Sequence, residues 1–329
     1  MSTSAAGTAI TPFPYAAGNV MEMTNSQSEN ISATITSVFP LTISPVMEVR
    51  IRTKKGFQKA ILKVYDRRFG ACRDWYAQNR KNRYNPHNQW VENAWQRYIR
   101  TGMAERLSEH LHREDKKDIP CYRDDSDFDN ESPQWEKVGK IEGILHHKAQ
   151  KYYAQEIQAY GQLKKHQGRF VPRLIDSVTL CPSAAQAYLP PDLPPSYFQV
   201  RGILLQRING FNLDNLPQNV PNLPMVQEQI IQTAIDMARE INQAGVMNLD
   251  CVPRNVLVAR VDDYTFQTFM IDFTDSAFKY DYKDTDDPDD KDSWASMLEF
   301  YDNQGAIGSV MTTILRKATG FVPKITYKR

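Results

Sequence analysis

The chain has 329 residues, 41% of them hydrophobic and 24% charged, with 40 Lys and Arg against 39 Asp and Glu. That length suits one two-lobed domain or two small ones with ample core, and a net charge of +1 excludes a strong general attraction to nucleic acid or membrane. No apolar run is long enough to span a bilayer, and Cys72, Cys121, Cys181 and Cys251 form no Cys-x-x-Cys pair, so neither a zinc site nor a disulfide framework is indicated.

Residues 1–30 are rich in Ser, Thr and Ala and lack a basic start followed by an apolar stretch, which predicts a disordered tail rather than a signal peptide. With the scattered cysteines this suggests a cytoplasmic or nuclear compartment. Alternation predicts strands over 31–39, 47–52 and 58–65, the last two joined by a turn at Thr53-Lys54-Lys55-Gly56. A charged stretch follows over 67–148. Within it Val91, Trp95, Tyr98, Met103, Leu107 and Leu111 recur mostly at helical spacing and predict a packed helix over 90–111. The acidic residues 113–136 predict a loop. A helix is predicted over 144–166, with Ile157, Tyr160 and Leu163 on one face. Strands are predicted over 170–180 and 197–208, with a Pro-rich loop at 182–195 between them. A second strong helix is predicted over 224–244, with Ile230, Ile231, Ala234, Ala238 and Ile241 inward. The region 292–318 predicts one or two last helices, broken near Gly305.

The densest signal lies at 245–273. Asp250 and Asn255 stand five residues apart; an apolar strand follows (Val256, Leu257, Val258), then a hairpin, then a second apolar strand ending in Asp272. This acidic layout suits phosphoryl transfer, in which one Asp meets the attacking hydroxyl and an Asn and a second Asp hold magnesium against the phosphates. Asp250 must point from a loop toward the acceptor, Asn255 must turn back toward the metal, and the paired strands must bring Asp272 alongside. By residue type alone, Asp250 and Asn255 equally suit turn capping.

On these residues the chain resembles the protein-kinase-like superfamily. Its signature of His-x-Asp-x-x-x-x-Asn followed by Asp-Phe-Gly is met here by Asn248-Leu249-Asp250, Asn255 and Asp272-Phe273-Thr274. Pro253-Arg254-Asn255 is similar to the Pro-x-Asn of small-molecule and atypical kinases. Upstream, Ala60-Ile61-Leu62-Lys63-Val64 resembles the strand carrying the phosphate-binding Lys. Ala154-Gln155-Glu156-Ile157-Gln158-Ala159-Tyr160 resembles the helix whose Glu pairs with that Lys. Gly202-Ile203-Leu204-Leu205-Gln206-Arg207-Ile208-Asn209-Gly210 resembles the strand and hinge that meet adenine. The five elements fall in order over roughly 41–280 and resemble most the atypical fungal kinase-like proteins with a short C-terminal lobe.

The resemblance implies an α+β, two-lobed fold. A small antiparallel-sheet N-lobe would span 31–208, with a helical insertion at about 67–150, and a reduced helical C-lobe would span 209–329. It implies ATP and Mg2+ as cofactors and a hydroxyl-bearing acceptor as partner, with no membrane and no nucleic acid. Asp250 would be the base, and Asn255 and Asp272 the metal ligands. Lys63 would neutralise the phosphates and Glu156 would fix it. Gln206 and Ile208 would offer backbone groups to adenine, and Ile61 and Leu257 would sandwich the ring. By residue type alone, Lys63 also reads as a strand Lys facing solvent, Glu156 as an exposed helix charge, and Ile61 and Leu257 as core.

The chain departs from the family pattern in places. Asn248 replaces the usual His, and Thr274 replaces the Gly after Asp-Phe, stiffening that turn. The loop over 39–45 contains no glycine to cover the phosphates, so Ser44 or Thr42 would donate a hydroxyl there. Only 57 residues follow Asp272, which predicts a reduced peptide-binding platform and a small-molecule acceptor. The run 281–292 holds seven Asp in twelve residues; it predicts a solvated loop that flanks the acceptor entrance and favours cationic acceptors. His110, His112, His146 and His147 predict exposed helix positions rather than metal ligands. Arg67, Arg68, Arg73, Arg80, Lys81 and Arg83 among Trp75, Tyr76 and Tyr84 form a strip whose charge is balanced elsewhere, which disfavours RNA. The whole predicts an ATP- and Mg2+-dependent phosphotransferase. The rival, favoured by the missing glycine loop and Asn248, is a pseudokinase-type nucleotide-binding or protein-interaction module.

Overall fold

Alternation of large apolar residues builds the core of the first of two compact units. In a computed structural model of the chain, which describes residues 10–53, 56–70, 73, 86–114, 132–181, 190–282 and 293–327, one unit comprises Met1–Tyr153 with Asp176–Leu204, and the other Ala154–Ile175 with Leu205–Arg329. Residues 154–175 therefore group with the second unit, not with the N-lobe expected over 31–208.

The first unit carries a closed barrel with strand order β1-β2-β3-β4-β6-β5. Its strands are β1 (Val20–Asn25), β2 (Asn30–Val38), β3 (Val46–Thr53), β4 (Gly56–Tyr65), β5 (Leu174–Leu180) and β6 (Arg201–Gln206). β1 closes the barrel by pairing antiparallel with both β2 and β5. The expected tail over 1–30 is thus corrected for 10–30. Met21 and Met23 alternate with polar neighbours, and both side chains, with Tyr15, enter the core beside Ile35, Val49 and Leu62. The Ser/Thr-rich composition concealed a period of two. Residues 1–9 lie outside the described residues.

The stretch after β4 is largely helical among the described residues. Helix α1 (Gln89–Arg100) starts at Asn88, whose side chain accepts from the Val91 N–H at 3.0 Å. Helix α2 (Met103–Glu114) follows, and α3 (Gln134–Gln162) begins ten residues before the predicted 144, inside the predicted loop. Residues 115–131 of that loop lie outside the described residues. Trp95, Tyr98, Leu107 and Leu111 form one buried cluster. Glycines on α3 permit the close approach: a Cβ on Gly139 would meet the Tyr98 Cβ at 2.5 Å, and one on Gly143 the Leu107 Cδ2 at 2.6 Å. His110 and His112 are exposed as expected, but His147 is buried and the His146 ring packs against Trp95 and Tyr197. Arg68 and Arg73 of the basic strip are buried, and Arg67 pairs with Glu92 and Glu142; residues 74–85 lie outside the described residues.

In the second unit, helix α4 (Pro224–Gln243) buries the predicted inward stripe of Ile230, Ile231, Ala234, Ala238 and Ile241, and with it Gln227, Ile235 and Met237. A three-stranded sheet runs β10-β9-β7 and a two-stranded one β11-β8. These strands are β7 (Gly210–Asn212), β8 (Val246–Asn248), β9 (Val256–Arg260), β10 (Phe266–Met270) and β11 (Ser276–Phe278). Helices α5 (Trp294–Tyr301) and α6 (Asn303–Thr319) break at Asp302, close to Gly305 as expected. Asp302 adopts a left-handed φ of 37°, ends α5, and accepts from the Gly305 N–H at 3.0 Å. A Cβ at Gly305 would meet the Asp302 carboxylate at 1.9 Å, so a larger residue there would displace this cap. The acidic run from 283 to 292 lies outside the described residues, and no described helix is long and apolar enough to cross a membrane.

Candidate functional site

The acidic constellation assembles within the second unit. β8 ends at Asn248, and a short 3-10 turn over Pro253–Asn255 leads into β9. Pro253 opens that turn, where its fixed φ suits the first helical position and its missing N–H leaves nothing unpaired. The turn folds Asn255 back on Asp250. Its Nδ2 donates to the Asp250 carbonyl at 2.9 Å and to the Asp250 carboxylate at 3.0 Å. Among the described residues nothing takes the other end of that amide, Oδ1.

The β9–β10 pairing, with Val256 opposite Met270, then delivers Asp272. The Ile271 N–H donates to the Asn255 carbonyl at 2.9 Å, tying the residue before Asp272 to the amide-bearing turn. Asp272 sits at a left-handed φ of 64°, a region Asp tolerates better than most side chains. The Thr274 hydroxyl and N–H both donate to its Oδ1, the latter at 3.3 Å. Thr274 therefore orients the carboxylate, a role that stiffening of the turn does not convey.

Three further residues were not assigned a place in the site by sequence. Asn248 is fully buried; its amide donates to the Asp272 carbonyl at 2.9 Å, and its oxygen accepts from the Asp250 N–H at 2.9 Å. Arg254 bonds both oxygens of the half-exposed Asp250 carboxylate at 3.0 Å. Tyr160 is buried on α3 one turn after the buried Glu156, edge-on to Phe273 at 5.8 Å. Burial, then the negative charges of Glu156 and Asp272, push its hydroxyl well above the usual range. The i,i+4 spacing of Glu156 and Tyr160 was the available signal for that grouping.

The remaining predicted residues take the following places. In the second unit, the Gln206 N–H is bonded to the Arg173 carbonyl at 2.8 Å and its side-chain oxygen accepts from the Arg173 N–H at 3.1 Å. The Ile208 carbonyl accepts from the Arg207 guanidinium at 2.9 Å, and Leu257 is half-buried on β9. In the first unit, Leu62 and Val64 fill the barrel, so Ile61, Lys63 and Tyr65 share the other face of β4. Lys63 is buried, not solvent-facing, and its Nζ lies 5.8 Å from the Tyr65 ring centroid. Ser44 is buried and Thr42 exposed in the loop over 39–45, which the Val64 N–H anchors through the Pro45 carbonyl at 3.0 Å. Gly70 (φ 129°) approaches this loop closely: a Cβ there would lie 2.3 Å from the Ile43 carbonyl oxygen. Among the described residues no group of three or more His, Cys, Asp or Glu forms a metal cluster.

No protein-family profile and no curated protein matches the chain. Solved structures with some likeness include WaaP in complex with acyl carrier protein, at 17% identity over 51% of this chain and 66% of that one, with a TM-score of 0.31. The kinase domain of Mycobacterium tuberculosis PknI is similar at 11% identity over 74% of this chain and 59% of that one, with a TM-score of 0.34. The chain thus spans roughly three-fifths to two-thirds of the length of these structures.

Proposed function

We propose that the chain is a protein-kinase-like phosphotransferase that uses ATP and Mg2+ to phosphorylate a hydroxyl on a small molecule. The observation that carries this reading is the convergence of Asp250, Asn255 and Asp272 through the Asn255–Asp250 bonds and the Asn248 bridge. Two oxygen donors, the Asn255 amide oxygen and the Asp272 carboxylate, suit Mg2+, which keeps few protein ligands and takes phosphate oxygens for the rest. The metal ion would supply charge neutralisation at the phosphates. Asp250 accepts the acceptor proton as its oxygen attacks the terminal phosphorus and the bond to the leaving diphosphate breaks. Lys63 and Glu156 keep the roles that the resemblance to the superfamily implies. A small acceptor is favoured because β11 begins only four residues after Asp272, which leaves little chain there for a peptide-docking segment.

The second reading, a binding module without turnover, is favoured by Arg254, which engages both oxygens of Asp250. A phosphotransfer screen over hydroxylated amines, sugars and generic protein substrates separates the two. Turnover of a small molecule that Asp250→Asn abolishes supports the enzyme. Protein phosphorylation with no small-molecule turnover refutes the acceptor class, and no turnover at all refutes the enzyme.

A further inference from the structure

The first unit contains a cavity of about 350 Å³ that this chemistry leaves unused. Its volume lies at the lower end of small-ligand pockets, which run from roughly 300 to 1,000 Å³. Its charges argue against an ionic ligand. Arg68 pairs with Asp66 at 2.7 Å, and Arg67 pairs with Glu92 and, outside the lining, with Glu142. The two guanidinium groups of the lining thus meet its two carboxylates. Burial chiefly lowers the pKa of His87, whose Nε2 lies 2.9 Å from Glu92. His146 is pushed down to about 3, by burial first and then by Arg67, His147 and Arg201. An anion or cation entering here would meet only charges already paired.

What the lining offers instead is side-chain amides. Gln96, Gln150 and Gln199 line the cavity, and among the described residues their amide groups take no protein partner. Each presents a donor and an acceptor side by side, the pattern complementary to the edge of a nucleobase. Tyr197, edge-on to Trp95 at 5.6 Å, and Tyr65 supply aromatic surface. A sugar would prefer carboxylates left to accept, but Asp66 is committed to Tyr15 and Arg68, and Glu92 to Arg67 and His87. We propose that this cavity binds an uncharged heterocycle with amide-like edges, a nucleobase or nucleoside, held by Gln96, Gln150 and Gln199.

The test is saturation-transfer NMR on the full chain in excess MgATP, which fills the proposed nucleotide site, with adenine, uridine and guanosine as probes and glucose and inorganic phosphate for comparison. Wild type is expected to bind at least one base or nucleoside saturably. Gln96→Leu with Gln150→Leu is expected to weaken that binding tenfold or more and to leave the MgATP-induced thermal shift unchanged. If the double variant does not fold, Gln150→Glu, which puts an unpaired charge into the lining, is expected to give the same loss. No binding by any base or nucleoside overturns the proposal. So does binding that a folded variant retains, since the ligand then sits elsewhere. Glucose or phosphate binding that the variant loses overturns the ligand class.

Discussion

The side-chain amide of Asn248 donates to the main-chain carbonyl of Asp272 at 2.9 Å. The same side chain accepts from the Asp250 N–H at 2.9 Å, so one buried residue sets the spacing of the two carboxylates. Asn248→Leu keeps much of the volume and removes both bonds, leaving a part-buried N–H and carbonyl unsatisfied. The expected cost is about 2 to 6 kcal/mol, from roughly 1 to 3 kcal/mol for each of the two unsatisfied groups, read by denaturant titration. Phosphotransfer should fall further than the folded fraction does. A variant of unchanged stability would show that Asn248 does not bridge the site.

Arg254 and Asp250 form an exposed pair, and exposed pairs contribute little, about 0 to 1 kcal/mol. Arg254→Ala should leave stability almost unchanged and alter turnover by less than about tenfold, whereas Asp250→Asn should lower it by roughly a hundredfold or more, the scale of general-base catalysis. Steady-state kinetics on both variants checks this. Equal losses would place Arg254 in the chemistry with Asp250.

Gly139→Ala tests the packing of the insertion. On an isolated helix the change would help by roughly 1 kcal/mol. Here the new methyl would stand 2.5 Å from the Tyr98 Cβ, an atom fixed to its own backbone. Overpacking of this kind costs about 1 to 3 kcal/mol, so a net loss is expected by thermal melting. A gain would mean that α1 and α3 do not pack as described.

Acid sensitivity follows from the first unit. His146 is held down at about 3, first by burial and then by nearby Arg67, so the unfolded chain binds its proton first as pH falls below about 6.5. That stability is fully present above the unfolded pKa and is lost progressively down to the folded one. By about pH 4.5 the loss from this group alone should be of the order of 2 to 3 kcal/mol. Asp66 adds a lower window: burial works against its charge, but Arg68 more than offsets this and holds it at about 2, so its contribution disappears between roughly pH 4 and 2. Unfolding curves from about pH 7 to 4 on wild type and His146→Phe check the first window. The variant should lose the part of the slope above about pH 4.5 that His146 contributes and keep the part due to His87, which burial also lowers.

Elements with a strong internal period were legible. The strands at 46–53 and 56–65 and the helix at 224–243 fall within two residues of the predicted bounds. β1 was hidden because Val20, Met21 and Met23 are its only apolar residues and the exposed Val20 breaks the alternation, and because its role is tertiary, closing the barrel against β5. The early start of α3 was hidden because polar and acidic residues there support a helix only once Val138 and Gly139 pack on α1. In the site, Asp250, Asn255 and Asp272 were legible as a spaced motif. The bridge by Asn248, the Thr274–Asp272 bond and the Arg254 pair depend on backbone turns that spacing alone does not specify.

The most direct test is the melting temperature with and without ATP and Mg2+, for wild type and Asp272→Asn. Asn tolerates the left-handed φ of 64° at this position as well as Asp does, so the variant should fold. MgATP at a hundredfold excess over its dissociation constant should stabilise wild type by about 2.7 kcal/mol, and the magnesium-dependent part should vanish in Asp272→Asn. A wild-type chain whose melting does not move at millimolar MgATP would contradict the phosphotransferase reading outright.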